Sequence, residues 1–221
     1  LKDVLRLSKG MTYKAAVAGL NLGGGKAVII GDPVEDKSEA LFRSYGRYLE
    51  SLNGRYITAE DVNITVEDIE HIFTETSNVC GVAKIHGGSG NPSPFTALGV
   101  YRGIQASCLK TFGDRSVKGK VFALQGAGSV GCHLGKLLSD NGAKVFFCDI
   151  NEENVSRFQE IVAGAERVSI DEIYDVQCDV YAPCALGATV NDDTIERLKC
   201  KIVAGCANNQ LAEPRHGDIL R

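Results

Sequence analysis

Histidine is scarce in this chain: of 221 residues only His71, His86, His133 and His216 carry an imidazole, and no two stand at helical ligand spacing. A metal centre is therefore not expected. None of the eight cysteines (Cys80, Cys108, Cys132, Cys148, Cys178, Cys184, Cys200, Cys206) falls in a C-x-x-C pair, and several lie inside apolar segments. That pattern suits free thiols in a reducing cytoplasm better than a secreted disulfide scaffold. No apolar run approaches the ~20 residues of a membrane helix. Basic tracts are missing too, and 24 Lys and Arg against 28 Asp and Glu leave a net charge of -4. Nucleic acid and membrane are thus poor partners. Leu1 opens the chain with neither an initiator Met nor a secretory leader, which reads as a fragment or a processed chain. What the sequence has in excess is glycine, 25 residues, many in clusters. Clustered glycine suggests backbone approaching a ligand.

Periodicity divides the chain in two. In the first part, Lys26 to Ile30 reads as a strand ending at the turn Gly31-Asp32-Pro33. Leu41, Tyr45, Tyr48, Leu49 and Leu52 then mark one face of a helix over Lys37 to Leu52. Asn53-Gly54 is a turn, Arg55 to Thr58 a strand, and Thr65 to Phe73 a helix with acids in its first turn. Glycines and prolines from His86 to Pro94 form a hinge, placing a mixed α/β unit at 1–92 and a second unit at 93–221. The second unit begins with a helix from Pro94 to about Phe112, capped by Ser93. Strands at Val121–Leu124, Val145–Cys148, Val180–Ala182 and Ile202–Ala204 then alternate with helices at about 130–139, 152–162 and 193–198. Such alternation predicts an α/β fold with a doubly wound parallel sheet, helices covering both faces.

The strongest motif is Gly126-Ala127-Gly128-Ser129-Val130-Gly131, which follows a predicted strand and opens a predicted helix. Asp149 closes the next strand, 149 minus 126 or 23 residues after the first glycine. In a dinucleotide fingerprint the first glycine makes the tight turn, the second admits a pyrophosphate, and the third lets helix and strand pack closely. The helix N-terminus adds a favourable field for the phosphates. Asp149 would accept hydrogen bonds from the adenosine ribose hydroxyls and repel a 2′-phosphate, favouring NAD over NADP. S-adenosylmethionine, or an adenine nucleotide in a regulatory module, is the other use of such a turn.

In the first unit, Lys14, Lys26 and Asp61 are charges set among small or apolar residues. A lysine drawn out of water has a lowered pKa and can exchange protons near neutral pH. Lys26 is the candidate, with Asp61 holding and passing on the proton. Lys14 would bind a substrate carboxylate, helped by the amides of Gly23 and Gly24. Lys26 follows three glycines but precedes Ala27 rather than Ser or Thr, so the run is not a phosphate loop.

These residues sit in segments that resemble one family. Met11-Thr12-Tyr13-Lys14-Ala15-Ala16, Gly19 to Pro33, Gly54 to Val62, Gly90-Asn91-Pro92-Ser93-Pro94, Ala182 to Gly187 and Ala207-Asn208-Asn209-Gln210 are similar, in that order, to the glutamate, leucine, phenylalanine and valine dehydrogenases. The resemblance implies a substrate and oligomerisation domain followed by a Rossmann-type NAD-binding domain, each lacking its outer end. It implies that Lys26 is catalytic with Asp61 as proton-transfer partner, and that Lys14 binds the α-carboxylate. Gly126, Ala127, Gly128, Ser129, Val130, Gly131, Cys132 and Asp149 would contact pyrophosphate and ribose, while Thr96, Cys184, Ala185 and Asn208 would lie beside the nicotinamide. The implied reaction is reversible: an L-amino acid and NAD give a 2-oxo acid, ammonia and NADH, with a cleft closing to exclude water. The Gly-Gly-Gly-Lys-Ala-Val-Ile-Ile continuation resembles the branch acting on hydrophobic substrates, so Leu, Ile and Val are expected. A phenylalanine or valine preference and a catalytically silent NAD-binding protein stay open. A cytoplasmic homo-oligomer is the implied setting.

Overall fold

A computed structural model describes residues 1–221, which form two compact units, Leu1–Pro92 and Ser93–Arg221. No helix is long and apolar enough to cross a membrane.

The first unit is built on helices α1 (Lys2–Val17), α2 (Glu39–Glu50) and α3 (Val66–Phe73). Ser38 caps α2 by accepting a hydrogen bond from the Leu41 amide at 3.3 Å. At α3 the Thr65 hydroxyl accepts from the Asp68 amide and the Asp68 carboxylate from the Thr65 amide, a reciprocal cap. Phe42 and Leu49 of α2 pack on Ile69 and Ile72 of α3, with Val82 completing the core. Gly46 makes that approach possible, because a Cβ there would lie 2.9 Å from the Ile72 carbonyl oxygen. The turn at Asn53-Gly54 forms with both residues at positive φ.

The two strands expected in this unit do not form. Lys26 to Ile30 pairs with nothing, leaving Ile30 97% exposed, and Arg55 to Thr58 makes one isolated parallel bridge, Thr58 to Val79. A strand is defined by its neighbour's hydrogen bonds, and β-prone residues without a partner remain coil. Helix α1, which no apolar period announced, buries only Ala15.

The second unit opens with α4 (Ser93–Phe112) and continues β1 (Val121–Gln125), α5 (Ser129–Asp140), β2 (Lys144–Cys148), α6 (Glu152–Ile161), β3 (Glu166–Arg167), β4 (Val180–Pro183), β5 (Ile202–Val203) and α7 (Pro214–Ile219). The five strands form one parallel sheet in the order β3-β2-β1-β4-β5. Side chains alternate between its faces as a pleat requires. Phe122, Leu124, Val145, Phe147, Val180, Ala182 and Ile202 face α4, α5 and α6, where Phe147 and Phe158 stack with ring centres 4.2 Å apart.

Ala123, Cys148 and Tyr181 point to the opposite face. That face departs from the expectation of full helices: it is closed by the short 3₁₀ turns Glu172–Tyr174 and Ile195–Arg197. The cause is local. The Asn191 carboxamide accepts from the Asp193 amide, and the Thr194 hydroxyl accepts from the Asn191 amide while donating to the Thr189 carbonyl. Side chains that serve the backbone in this way compete with helix propagation.

Candidate functional sites in the two units

In the first unit, α1 and the following glycine run set the position of Lys26. The Ser8 hydroxyl donates to the Gly24 carbonyl at 2.9 Å, tying the run to the helix. A Cβ on Gly24 would come 2.5 Å from the Thr12 amide nitrogen, and one on Gly25 would come 2.5 Å from the Tyr56 ring. Two of the three glycines thus exist because backbone threads between α1 and an aromatic ring. Gly23 is exposed with nothing within 4 Å of its Cβ position, which leaves room for a ligand at its amide.

Beyond the glycines, the Lys26 ammonium contacts the Asp61 carboxylate directly, with side-chain exposures of 17% and 35%. The second Asp61 oxygen accepts from the Val62 amide at 2.8 Å, and the Asp61 carbonyl accepts from the Ile64 amide at 2.9 Å, so a tight turn orients the acid. Burial lowers the Lys26 pKa from its ordinary value; the positive charge of Lys14 lowers it further, and Asp3 opposes. The touching Asp61 carboxylate favours the charged form, while desolvation keeps the ammonium acidic for a lysine. Lys14 is thereby placed close enough to Lys26 to act on its charge.

Two neighbours went unnoticed in the sequence. Glu60, beside Asp61, has a buried Oε2 without a hydrogen-bond partner, and burial raises its pKa. Tyr56, whose ring supports Gly25, gave no signal beyond its place in the Gly54 to Val62 segment.

In the second unit, β1 has β2 on one side and β4 on the other, so the chain reverses its direction of progress across the sheet there. Ligands of open parallel sheets bind beyond the C-terminal strand ends at this reversal. The Gly126 turn follows β1 and Cys184-Ala185 follows β4, one on each side of it. Gly126 has φ of +102°, and its Cβ would fall 2.7 Å from both the Cys184 carbonyl carbon and the Ala185 nitrogen. Gly131 abuts the Gly126 carbonyl group, bringing α5 against the strand. Gly128, the N-cap of α5, has nothing within 4 Å. This open glycine at a helix N-terminus is the place for an anionic group.

Asp149 braces the turn. Its Oδ2 accepts from the Ala127 amide at 2.6 Å, and Oδ1 accepts from the Asn151 amide at 2.8 Å and the Asn154 side chain at 3.3 Å. A carboxylate has about four acceptor sites, so capacity remains for a ribose hydroxyl. Cys132 is buried and donates from Sγ to the Ala127 carbonyl at 3.2 Å, with burial raising its pKa. Ser129 and Val130 form the first turn of α5. Thr96 on α4, Ala185 and Asn208 have exposed side chains. The fingerprint, Asp149, Cys184 and Ala185 therefore come together, as do Lys14, Gly24, Lys26 and Asp61 in the first unit. Asn154 is the contact that sequence reading missed here.

Residues 1–78 match the family model described as Glu/Leu/Phe/Val dehydrogenase, dimerisation domain. The whole chain is 62% identical over 221 residues to leucine dehydrogenase of Thermoactinomyces intermedius, covering 60% of that protein. It is 46% identical over 225 aligned residues to phenylalanine dehydrogenase of Caldalkalibacillus thermarum, covering 61% of it. Among solved structures, L-tryptophan dehydrogenase from Nostoc punctiforme superposes with a TM-score of 0.73 at 43% identity, over 99% of this chain and 62% of the other. The chain spans about 60% of the length of the curated relatives it matches.

Proposed function

Since this chain belongs to the Glu/Leu/Phe/Val dehydrogenase family, we propose that it performs the NAD-dependent, reversible oxidative deamination of a branched-chain L-amino acid, L-leucine with Ile and Val, to the 2-oxo acid and ammonia. The observation that carries this reading is the half-buried Lys26–Asp61 ion pair with Lys14 close by. A proton-exchanging amine, an acid to relay its proton and a cation for an α-carboxylate are what deamination of an amino acid requires.

On this reading residues 1–92 bind substrate and residues 93–221 form the Rossmann-type NAD domain. The open amide of Gly128 and the α5 N-terminus would hold the pyrophosphate, and Asp149 the ribose. Thr96, Cys184, Ala185 and Asn208 would lie toward the nicotinamide. NAD, when bound, supplies the acceptor for the hydride leaving the substrate Cα. Lys14 anchors the substrate carboxylate, with the Gly23 amide as a further donor. Lys26 helps water add at the oxidised carbon and stabilises charge on the new oxygen, while Asp61 moves protons as ammonia leaves. The 62% identity with a leucine dehydrogenase against 46% with a phenylalanine dehydrogenase favours the branched-chain substrate. Exposed Val28, Ile30 and Val34 in a segment matching a dimerisation domain favour a homo-oligomer. Eight unpaired cysteines suit a cytoplasmic setting.

The test is product analysis of the full-length protein with L-leucine and NAD. NADH, ammonia and the branched 2-oxo acid should appear in equal amounts, faster than with L-phenylalanine. Binding of NAD without turnover of any amino acid would overturn the reading.

A further inference from the structure

Cysteines flank the seam between β4 and β5 at both of its ends, Cys178 and Cys200 at one and Cys184 and Cys206 at the other. Val180 pairs with Ile202 and Tyr181 with Val203, an offset of 202 minus 180, or 22 residues. Past the strand ends the ladder slips by one residue: the Ala204 amide donates to the Tyr181 carbonyl, 204 minus 181 or 23 residues apart, whereas the Ala207 amide donates to the Pro183 carbonyl at 2.9 Å, 207 minus 183 or 24 apart. Gly205 still lies against the Pro183 backbone, and this close approach brings the next residue of each segment, Cys206 and Cys184, together. A disulfide spans Cα separations of ~4.4 to 6.8 Å, the scale on which neighbouring backbone segments of a sheet lie. The Cys206 thiol also points at the Cys184 residue, with Sγ 3.9 Å from its carbonyl oxygen. Both residues are partly buried, and both are free thiols.

The location gives this pair a consequence. The Cys184–Ala185 peptide is the group against which Gly126, the first glycine of the fingerprint, is packed. The segments after β4 and β5 run side by side from there, joined by the Ala188 amide on the Asn209 carbonyl at 2.9 Å and the Val190 amide on the Gln210 carbonyl at 2.8 Å.

We propose that Cys184 and Cys206 form a peroxide-oxidisable dithiol whose disulfide resets the turn beside the Gly126 fingerprint and so turns off use of the dinucleotide. Contact with the Cys184 thiol lowers the Cys206 pKa and raises that of Cys184, so Cys206 is the nucleophile. Its thiolate attacks one oxygen of hydrogen peroxide, breaking the O–O bond and giving a sulfenic acid and, after protonation, one water. The Cys184 sulfur then attacks the sulfenic sulfur, forming the S–S bond, and the second oxygen leaves as water. Two thiols lose two electrons and two protons, and one peroxide becomes two waters. A dithiol reductant reverses the step. A second cysteine pair, Cys178 and Cys200, lies at the N-terminal end of the same seam, away from the fingerprint.

The effect on turnover rests on the dinucleotide reading of this unit; formation of the bond does not. Full-length protein is treated with hydrogen peroxide, alkylated, digested and mapped by mass spectrometry, with NAD binding followed by calorimetry and turnover by NADH absorbance. The expected result is a peptide pair linked through Cys184 and Cys206, with turnover reduced roughly tenfold or more, since a misplacement of ~1 Å can cost about 100-fold. Dithiothreitol should restore it, and Cys206→Ser should show neither the link nor the loss. Absence of that link, a link through Cys178 and Cys200 alone, or a link that leaves NAD binding and turnover unchanged would overturn the proposal. A protein that turns over no amino acid before treatment fails the dehydrogenase reading, while the linked peptide and the NAD titration still decide the dithiol.

Discussion

Two glycines of one fingerprint should respond in opposite ways to the same added methyl group. Gly126 sits at φ of +102° with the backbone of Cys184 and Ala185 2.7 Å from a Cβ. A side chain in that conformation costs ~1 to 3 kcal/mol, and overlap with atoms that cannot rotate away adds ~1 to 3 kcal/mol. Gly126→Ala should therefore lose ~2 to 6 kcal/mol, which at about 3 °C per kcal/mol lowers the melting temperature by roughly 6 to 18 °C. Gly128 has φ of -66° and no atom within 4 Å of a Cβ. Gly128→Ala should melt within ~1 °C of the parent, yet weaken NAD binding, because its methyl group enters the space assigned to the pyrophosphate. Differential scanning fluorimetry and titration with NAD separate the two effects. A Gly126→Ala protein as stable as the parent would refute the packing argument, and a Gly128→Ala protein with full NAD affinity would refute the placement of the phosphates.

Other expectations concern the first unit. Asp61→Asn should lower kcat by ~10² to 10⁴, the range of a lost proton-transfer group, with NAD affinity retained; steady-state kinetics beside a binding titration checks this. Because the folded pKa of Lys26 lies below its ordinary 10.5, the folded chain binds fewer protons than the unfolded chain between the two values. Stability should accordingly rise with pH across that window and be lower beneath it, and denaturant titrations of Lys26→Gln should flatten the rise. Deamination should gain rate along a limb centred below 10.5. Lys14→Gln, which removes a like charge, should move that limb to higher pH as well as raise KM. Gly25→Ala must push Tyr56 aside, since the ring lies 2.5 Å from the new Cβ, and should reduce kcat by displacing Lys26.

The second unit was largely legible because its signals were local and mutually consistent. Strands β1, β2 and β4 each contain an unbroken apolar run, and their buried positions follow from burial on both faces of a parallel sheet. Strand β3 was not, because Glu166 and Arg167 are exposed and owe their form to pairing with Phe146 and Phe147. Helix α7 carried a signal that went unread, Pro214 at its first position after Glu213. In the first unit α2 and α3 were readable from apolar period and caps, whereas α1, with one buried residue, has no face for a period to reveal. Lys26 and Asp61 could be singled out by their apolar surroundings, but their direct contact depends on a turn at Asp61 and a glycine path past Tyr56 that spacing does not encode. The approach of the Cys206 thiol to Cys184 depends likewise on how the segments after β4 and β5 run together, which no local signal encodes.

The central claim, that the Lys26 amine handles protons for deamination, is tested most directly by the turnover of L-leucine by Lys26→Ala beside its NAD affinity. A kcat reduced by ~10² to 10⁴ with NAD binding unchanged is the predicted result; turnover equal to that of the parent would contradict the account.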